Sequence, residues 1–305
     1  TAAFVFSGAF SSSGLSKDFF FKIFHNTLPF LICLLTFNFE RKKMIKFNYK
    51  FLITGIFAVL CLSTTVMADL SDILSLGKVK IAVPESFSPF GSIGPEGDHV
   101  GYDVDVAKLV AKNLGVELEL VPVSSKQRIP FLETNRVDLV ISTMGANPER
   151  AKSINFSSAY APFFSGAFAA SKLSIKGPSD LAGLKVGLTG GSLEDLEITR
   201  IAPKSTKIIR FGDNAATLSA FTSKQVDVLV SGNTAAAALS AENPNLDIQT
   251  KFIIKESPCF IGVKKGNEDL LRWVNVFILH KKLGGELNAI SQKWLGQDLP
   301  PLPSL

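Results

Sequence analysis

From residue 79 onward the apolar positions fall into short alternating blocks. "VKIAV", 79–83, is an almost unbroken apolar run, the pattern of a buried strand. In "DVDVAKLVAKNLG", 103–115, Val106, Leu109, Val110 and Leu114 recur at helical spacing, and Gly115 stands where a helix stops. "VELELVPV", 116–123, reads as a strand, "RIPFLETN", 128–135, as a short helix, and "VDLVIS", 137–142, as a strand that runs out at Thr143. The order then comes round again. "LKVGLTGGSLEDL", 184–196, is a strand, a Gly-rich turn and a helix start; "KIIRF", 207–211, is a strand; "NAATLSAFTSKQ", 214–225, is helical; "VDVLVS", 226–231, is a strand.

"NRVDLVIS" and "KQVDVLVS" match in residue type and in local order. The echo predicts an α/β fold of two lobes, each a βαβ-based sheet flanked by helices. Ligands of such open sheets bind beyond the carboxyl ends of the strands, and two lobes can face those ends across a cleft. "SGAFAAS", 165–171, and "SPCFIGVKK", 257–265, are extended segments without helical period, and are expected to be two hinge strands. The stretch 267–296 reads as two amphipathic helices split at Gly284 and Gly285, returning to the first lobe; the Pro-rich tail "DLPPLPSL" has no predicted structure. The expected division is 69–166 with 259–305 as lobe 1 and 167–258 as lobe 2.

After the strand at 137–142 comes "NPER". Asn147 is a good helix N-cap and Pro148 suits the first helical position. Arg150 does not suit it, since a cation in a first turn is unfavourable by about 0.3–1 kcal/mol. Its placement therefore calls for an explanation.

Ahead of these blocks lies a segment that reads as targeting. Met44 begins a run in which Lys46 and Lys50 form a positive start, Phe51 to Leu62 an apolar centre, and Val66-Met67-Ala68 a cleavage site. Residues 44–68 are expected to be a signal peptide cut after Ala68, which implies a periplasmic, exported protein; an uncleaved anchor is the other reading. Residues 1–43 precede that methionine and hold ten of the 25 phenylalanines. They read as a non-native upstream extension rather than a membrane segment, because Asn26 and Pro29 interrupt an apolar stretch that would need about 20 residues to span.

Charge then changes the picture. The formal net charge of +5 resides wholly in residues 1–68, which carry seven Lys/Arg and two acids; the remainder balances 25 against 25. Nucleic-acid binding loses its compositional support. Cys259 alone remains after Ala68, in "SPCFIGV", and His99 and His280 stand far apart, so neither a disulfide, a metal site nor a His-based nucleophile is expected. No cofactor is implied.

"ESFSPF…GYDVDVAKLVAKNLG", "RIPFLETNRVDLVIS", "NPERAKSINFSSAY", "SDLAGLKVGLTGGS" and "GGELNAISQKWLG" together resemble the periplasmic solute-binding proteins for polar amino acids, bacterial extracellular solute-binding protein family 3. The resemblance spans roughly residues 76–297. It implies the two-lobe type II periplasmic-binding-protein fold, a small-molecule ligand that is an amino acid or carboxylate, a monomer, and an ABC-transporter permease as membrane partner. It also implies that Arg150 faces the cleft and grips the ligand's carboxylate in a bidentate bond, which a planar guanidinium suits; a surface pair with Glu149 is the plainer alternative. Phe87 matches the aromatic that covers the ligand, or else packs in the core. Ser142 and Thr143, at the strand end, offer backbone groups and hydroxyls. Gly191, Ser192 and Leu193 fall at the second lobe's helix start, where N–H groups hold an anion, although "SLED" is also close to a capping box. Arg128 lines the cleft or lies on a solvated face.

Two positions depart from the family pattern. Gly145 stands where relatives carry Ser or Thr. Gly232 and Asn233 stand where relatives place the aspartate that holds an α-ammonium. Glu194 and Asp213 are the acids left to replace it; otherwise the ligand is an organic acid or has a neutral nitrogen. Asp227 repeats Asp138 and reads as structural. The alternative function is a secreted dehydratase of prephenate-like or arogenate-like acids on the same fold, with Glu194 as its general acid.

Overall fold

A computed structural model describes residues 69–303. The signal peptide expected at 44–68 and the extension at 1–43 lie outside the described residues.

The first half begins with a short helix, α1 (Leu70–Leu76), capped by Asp69, and a first strand, β1 (Lys78–Pro84). A two-stranded ribbon, β2 (Ser92–Ile93) and β3 (His99–Val100), leads into α2 (Tyr102–Leu114). Of the predicted face of α2, Val106, Val110 and Leu114 are buried and Leu109 partly so, and Gly115 ends the helix with φ 71°. Then come β4 (Glu117–Val123), α3 (Arg128–Glu133), β5 (Leu139–Gly145) and β6 (Ile154–Ala161). The second half holds β7 (Phe164–Ala170), β8 (Lys185–Thr189), α4 (Leu193–Ile201), β9 (Lys207–Phe211), α5 (Asn214–Thr222), β10 (Val228–Gly232), α6 (Asn233–Glu242) and β11 (Ile248–Glu256). The chain then returns through β12 (Cys259–Lys264), α7 (Glu268–Leu283) and α8 (Glu286–Leu295).

Two five-stranded sheets result, ordered β4-β1-β5-β12-β6 and β9-β8-β10-β7-β11. They have one plan: three parallel strands, then an antiparallel strand, then an edge strand. The repeated aspartates are structural in both. Asp138 Oδ2 accepts the N–H of Lys80 at 2.8 Å while its own N–H donates to Lys80 O at 2.8 Å. Asp227 does the same with Lys185, at 2.8 Å and 2.8 Å. Each aspartate stands just before one parallel strand and ties it to its neighbour, at the third residue of β1 and the first of β8.

The extended segments expected to be hinges lie mostly within the sheets. Residues 165–170 belong to β7, inside the second sheet, and 259–264 to β12, inside the first. The crossings themselves are two residues each, Pro162-Phe163 and Ser257-Pro258. They run side by side, joined where Ser257 N–H donates to Phe163 O at 3.0 Å, with β11 pairing β7 on one side and β12 pairing β6 on the other. The paired helices α7 and α8 pack on the first half through Leu270, Val274, Phe277, Ile278 and Leu287.

The helix expected after Asn147 is a single turn. Asn147 Oδ1 accepts the N–H of Arg150 at 2.7 Å, as a cap does, but the turn closes as a 3-10 helix over Arg150–Lys152 before β6 begins. With no long helix behind it, the dipole penalty on Arg150 has little source.

Candidate ligand chamber between the two sheets

Arg150 turns inward. Glu149 pairs instead with Lys152, at 2.6 Å on the surface, so the plainer reading of Arg150 is corrected. Arg150 is 8% exposed. It donates through Nη1 to Gly145 O of the first sheet at 2.9 Å and through Nη2 to Gly191 O, in the turn after β8 of the second, at 3.2 Å. Burial, with Arg128 nearby, lowers its pKa to about 10, against the pull of Glu194.

Around it the two halves enclose a chamber lined by Phe87, Ser125, Arg128, Thr143, Gly145, Phe163, Ser192, Leu193, Glu194, Asn214 and Ser257. Its volume is about 20 Å³, room for about one water molecule and far below the roughly 300–1,000 Å³ of ligand pockets. The halves are in contact: Leu193 Cδ2 lies 2.6 Å from where a Cβ on Gly145 would be, and Lys126 Cγ lies 2.7 Å from where one on Gly191 would be. A ligand of amino-acid size enters only by parting them.

Arg128 is in the chamber and not on a solvated face. It is 6% exposed, and its Nε has no hydrogen-bond partner. Burial lowers its pKa, opposed by the charges of Glu194 and Asp103. Glu194, 8% exposed, makes no hydrogen bond or close ion pair among the described residues. A buried guanidinium and a buried carboxylate without direct partners are costly in a folded chain unless something else meets them.

Phe87 is both a chamber wall and a member of the core. It lines the chamber and stacks on Phe90 at 5.9 Å between centroids, with Phe163 edge-on at 6.2 Å. Thr143 is reached but engaged: its N–H and its Oγ1 both donate to Asp103 Oδ2, at 2.7 and 2.8 Å. Asp103 also accepts from Tyr160 OH at 2.6 Å; burial nevertheless raises its pKa to about 6. Thr143 sits at φ 45°, an uncommon place for a β-branched residue, and the Asp103 bonds hold it there. Ser142 is a correction. By strand alternation it shares the face of Val140 and Met144, and it does not line the chamber.

The second-lobe turn is capped from within. Ser192 Oγ accepts from Asp195 N–H at 3.1 Å, and Asp195 Oδ2 accepts the Gly191 N–H at 3.0 Å. The Gly191 N–H is thus engaged, and the expectation that it holds an anion is corrected. Gly232 and Asn233 do not line the chamber either. Asn233 Oδ1 accepts the N–H of Phe164 at the crossing, at 3.1 Å. A Cβ on Gly232 would overlap the Phe163 ring, so an aspartate has no room at 232. Asp213 caps α5, its Oδ1 accepting from Ala216 N–H at 2.8 Å; of the two replacement acids only Glu194 lines the chamber. Ser125, Phe163, Asn214 and Ser257 were not expected. The crossings floor any interlobe cleft, and the two prolines Pro162 and Pro258 in otherwise extended runs were the available signal for Phe163 and Ser257.

A guanidinium held between the facing ends of two sheets of one plan is what the resemblance implied, and the family model for bacterial extracellular solute-binding proteins, family 3, matches residues 79–297. The chain belongs to that family. Among curated relatives it is similar to the L-cystine-binding protein TcyJ of Escherichia coli (strain K12), 29% identical over 255 residues, covering 80% of this chain and 95% of that protein. Among solved structures it is similar to the solute receptor for L-cysteine of Neisseria gonorrhoeae, with TM-score 0.70, 28% identity, and 75% and 94% of the two chains covered. It is also similar to the ancestral amino acid-binding protein AncCDT-1, a precursor of cyclohexadienyl dehydratase, with TM-score 0.68, 29% identity and coverage of 74% and 98%. The fold is therefore the two-lobe α/β architecture of the solute-binding proteins.

Proposed function

We propose that this chain is the exported substrate-binding component of an ABC importer, and that it closes around a small carboxylate, an amino acid or a near relative of one. The observation that carries this is Arg150, buried between the lobes with one N–H on each side. In this reading the ligand's carboxylate replaces the carbonyls Gly145 O and Gly191 O as acceptor, and a charged acceptor in a dry site is worth more to a guanidinium than a neutral one. Lobe closure then follows ligand concentration, because the ligand bridges both halves only in the closed form. The named relatives' ligands, cystine and cysteine, are amino acids. A membrane permease would read the closed form; the protein acts as a monomer and needs no cofactor.

Arg150→Ala is expected to weaken ligand binding at least tenfold, about 1.4 kcal/mol. Isothermal calorimetry with the strongest hit of a thermal-shift screen of amino acids and carboxylates checks it, and unchanged affinity rejects the role. Such a hit at 100 times its dissociation constant adds about 2.7 kcal/mol of stability.

A dehydratase is the second reading, favoured by Glu194 as the carboxylate lining the chamber. We read the chain as a binder rather than an enzyme. Incubation with prephenate or arogenate is expected to yield no aromatic product.

A further inference from the structure

Outside the chamber a lysine of one lobe lies across a turn of the other. Lys126 sits between β4 and α3, in a turn that Gln127 closes: its N–H donates to Ser124 O at 3.1 Å and its Oε1 accepts the Ser124 N–H at 2.8 Å. Ser125 and Arg128 on either side line the chamber; Lys126 is exposed and lies over Gly190 and Gly191 of the second lobe. A Cβ on Gly190 would stand 2.9 Å from Lys126 Cε and 3.1 Å from its Nζ, and one on Gly191 2.7 Å from its Cγ. Gly191 has a second reason to be glycine, its φ of 78°. Gly190 has no positive φ, so room for the lysine is what its missing side chain provides. The turn beneath is fixed as well, Gly190 N–H donating to Phe211 O at 3.0 Å. Two acids pull the other way. Glu85 is held beside the Lys126 turn, its N–H donating to Val123 O at 3.3 Å, and Asp213 caps α5 of the second lobe. Burial and then the Asp213 charge raise the Glu85 pKa, against Arg128, so a carboxylate from each lobe opposes their approach.

Resting on the lobe closure of the reading above, we propose that Lys126 is a positioning residue that holds the lobes together, a strap from the first lobe onto the Gly190-Gly191 turn of the second. Contacts inside the chamber are partly given up when an occupant takes Arg150 from Gly191 O. The strap lies outside and persists. It therefore raises the closed population by one factor whatever the occupant, and strengthens binding without choosing between ligands. An exposed ammonium contributes little by its charge, so the methylenes laid on glycine backbone carry the strap.

The test reads the distance between the lobes in the mature protein alone. Spin labels at Lys112→Cys in α2 and Lys204→Cys beyond α4 occupy exposed sites, while Cys259 is buried. Double electron–electron resonance is expected to show a short and a long distance. Lys126→Ala is expected to lower the ratio of short to long at least threefold, and Lys126→Met, which keeps the stem, to restore it to within about twofold, all at one melting temperature. Gly190→Ala is expected to lower the ratio with Lys126 present and to change nothing further in Lys126→Ala. A ratio unchanged in Lys126→Ala, no rescue by Lys126→Met, or the long distance alone in the parent overturns the strap and leaves the binding reading intact. One distance that no variant alters, and no amino acid or carboxylate of the thermal-shift screen alters, counts against lobe closure and so against both readings.

Discussion

At the scale of single residues, the chamber is shaped as much by missing side chains as by present ones. Gly145 lets Leu193 and Ser257 close over it, since a Cβ there would overlap Ser257 Oγ and approach Leu193 Cδ2. Gly145→Ala is therefore expected to oppose closure more than folding. Ligand affinity should drop roughly tenfold, with little change in the melting temperature of the ligand-free protein, as calorimetry and thermal melts would show. Asp103 carries a pH signature. Its pKa lies near 6 in the fold, above the ordinary carboxylate range, so the folded state holds the extra proton between about pH 4 and pH 6. Its contribution is fully present in acid and is lost as pH rises through 6, by at most about 3 kcal/mol. Asp103→Asn is expected to remove that slope from a series of urea unfolding curves taken between pH 4 and pH 7. Arg150 was legible from its family motif, and Phe87 with it. Ser142 was not, because a strand end reads the same from either face until its partner strands fix the pleat. Phe163 carried no chemistry that a motif would flag; it matters by standing where another side chain would otherwise be.

At the scale of elements, the pattern was strongest where a strand or helix buries one continuous face. α2 and the parallel strands β1, β5, β8 and β10 lie within a residue or three of their predicted limits. β6 was missed because Ser157 and Ser158 interrupt its apolar run. The fold uses Ser157 there, its Oγ accepting the N–H of Ile261 at 2.9 Å, where the β12–β6 register shifts. β11 was missed because its burial is only partial along an edge, and α6 because "NTAAAALSAE" holds alanines where periodicity needs large apolar residues. The repeated aspartates were legible as structural, and their clamps make a prediction. Asp138→Ala and Asp227→Ala should each cost about 1 kcal/mol in chemical denaturation, through the lost bond to Lys80 or Lys185. Lying in separate sheets, the two losses should add.

At the scale of the whole molecule, the expected mature start bears on the first element. Asp69 Oδ1 accepts the N–H of Asp72 at 3.3 Å, and Asp72 answers through Asp69 N–H at 3.4 Å, so a cut after Ala68 leaves the cap of α1 whole. Mass spectrometry of exported protein is expected to find Asp69 as the first residue. Two lobes were legible from the echo between the halves; the length of the crossings was not, because an extended run looks alike whether it bridges two sheets or lies inside one. That exchange of strands has a further consequence. β12 completes the first sheet between β5 and β6, although a whole second half is synthesised in between. Until β12 has been made, β5 and β6 have no strand to join them, whereas the second sheet, β7 to β11, is assembled from contiguous chain. The two lobes thus differ in when they can be finished: the second is complete once β11 exists, while the first stays open in its middle until the chain has come back from the second.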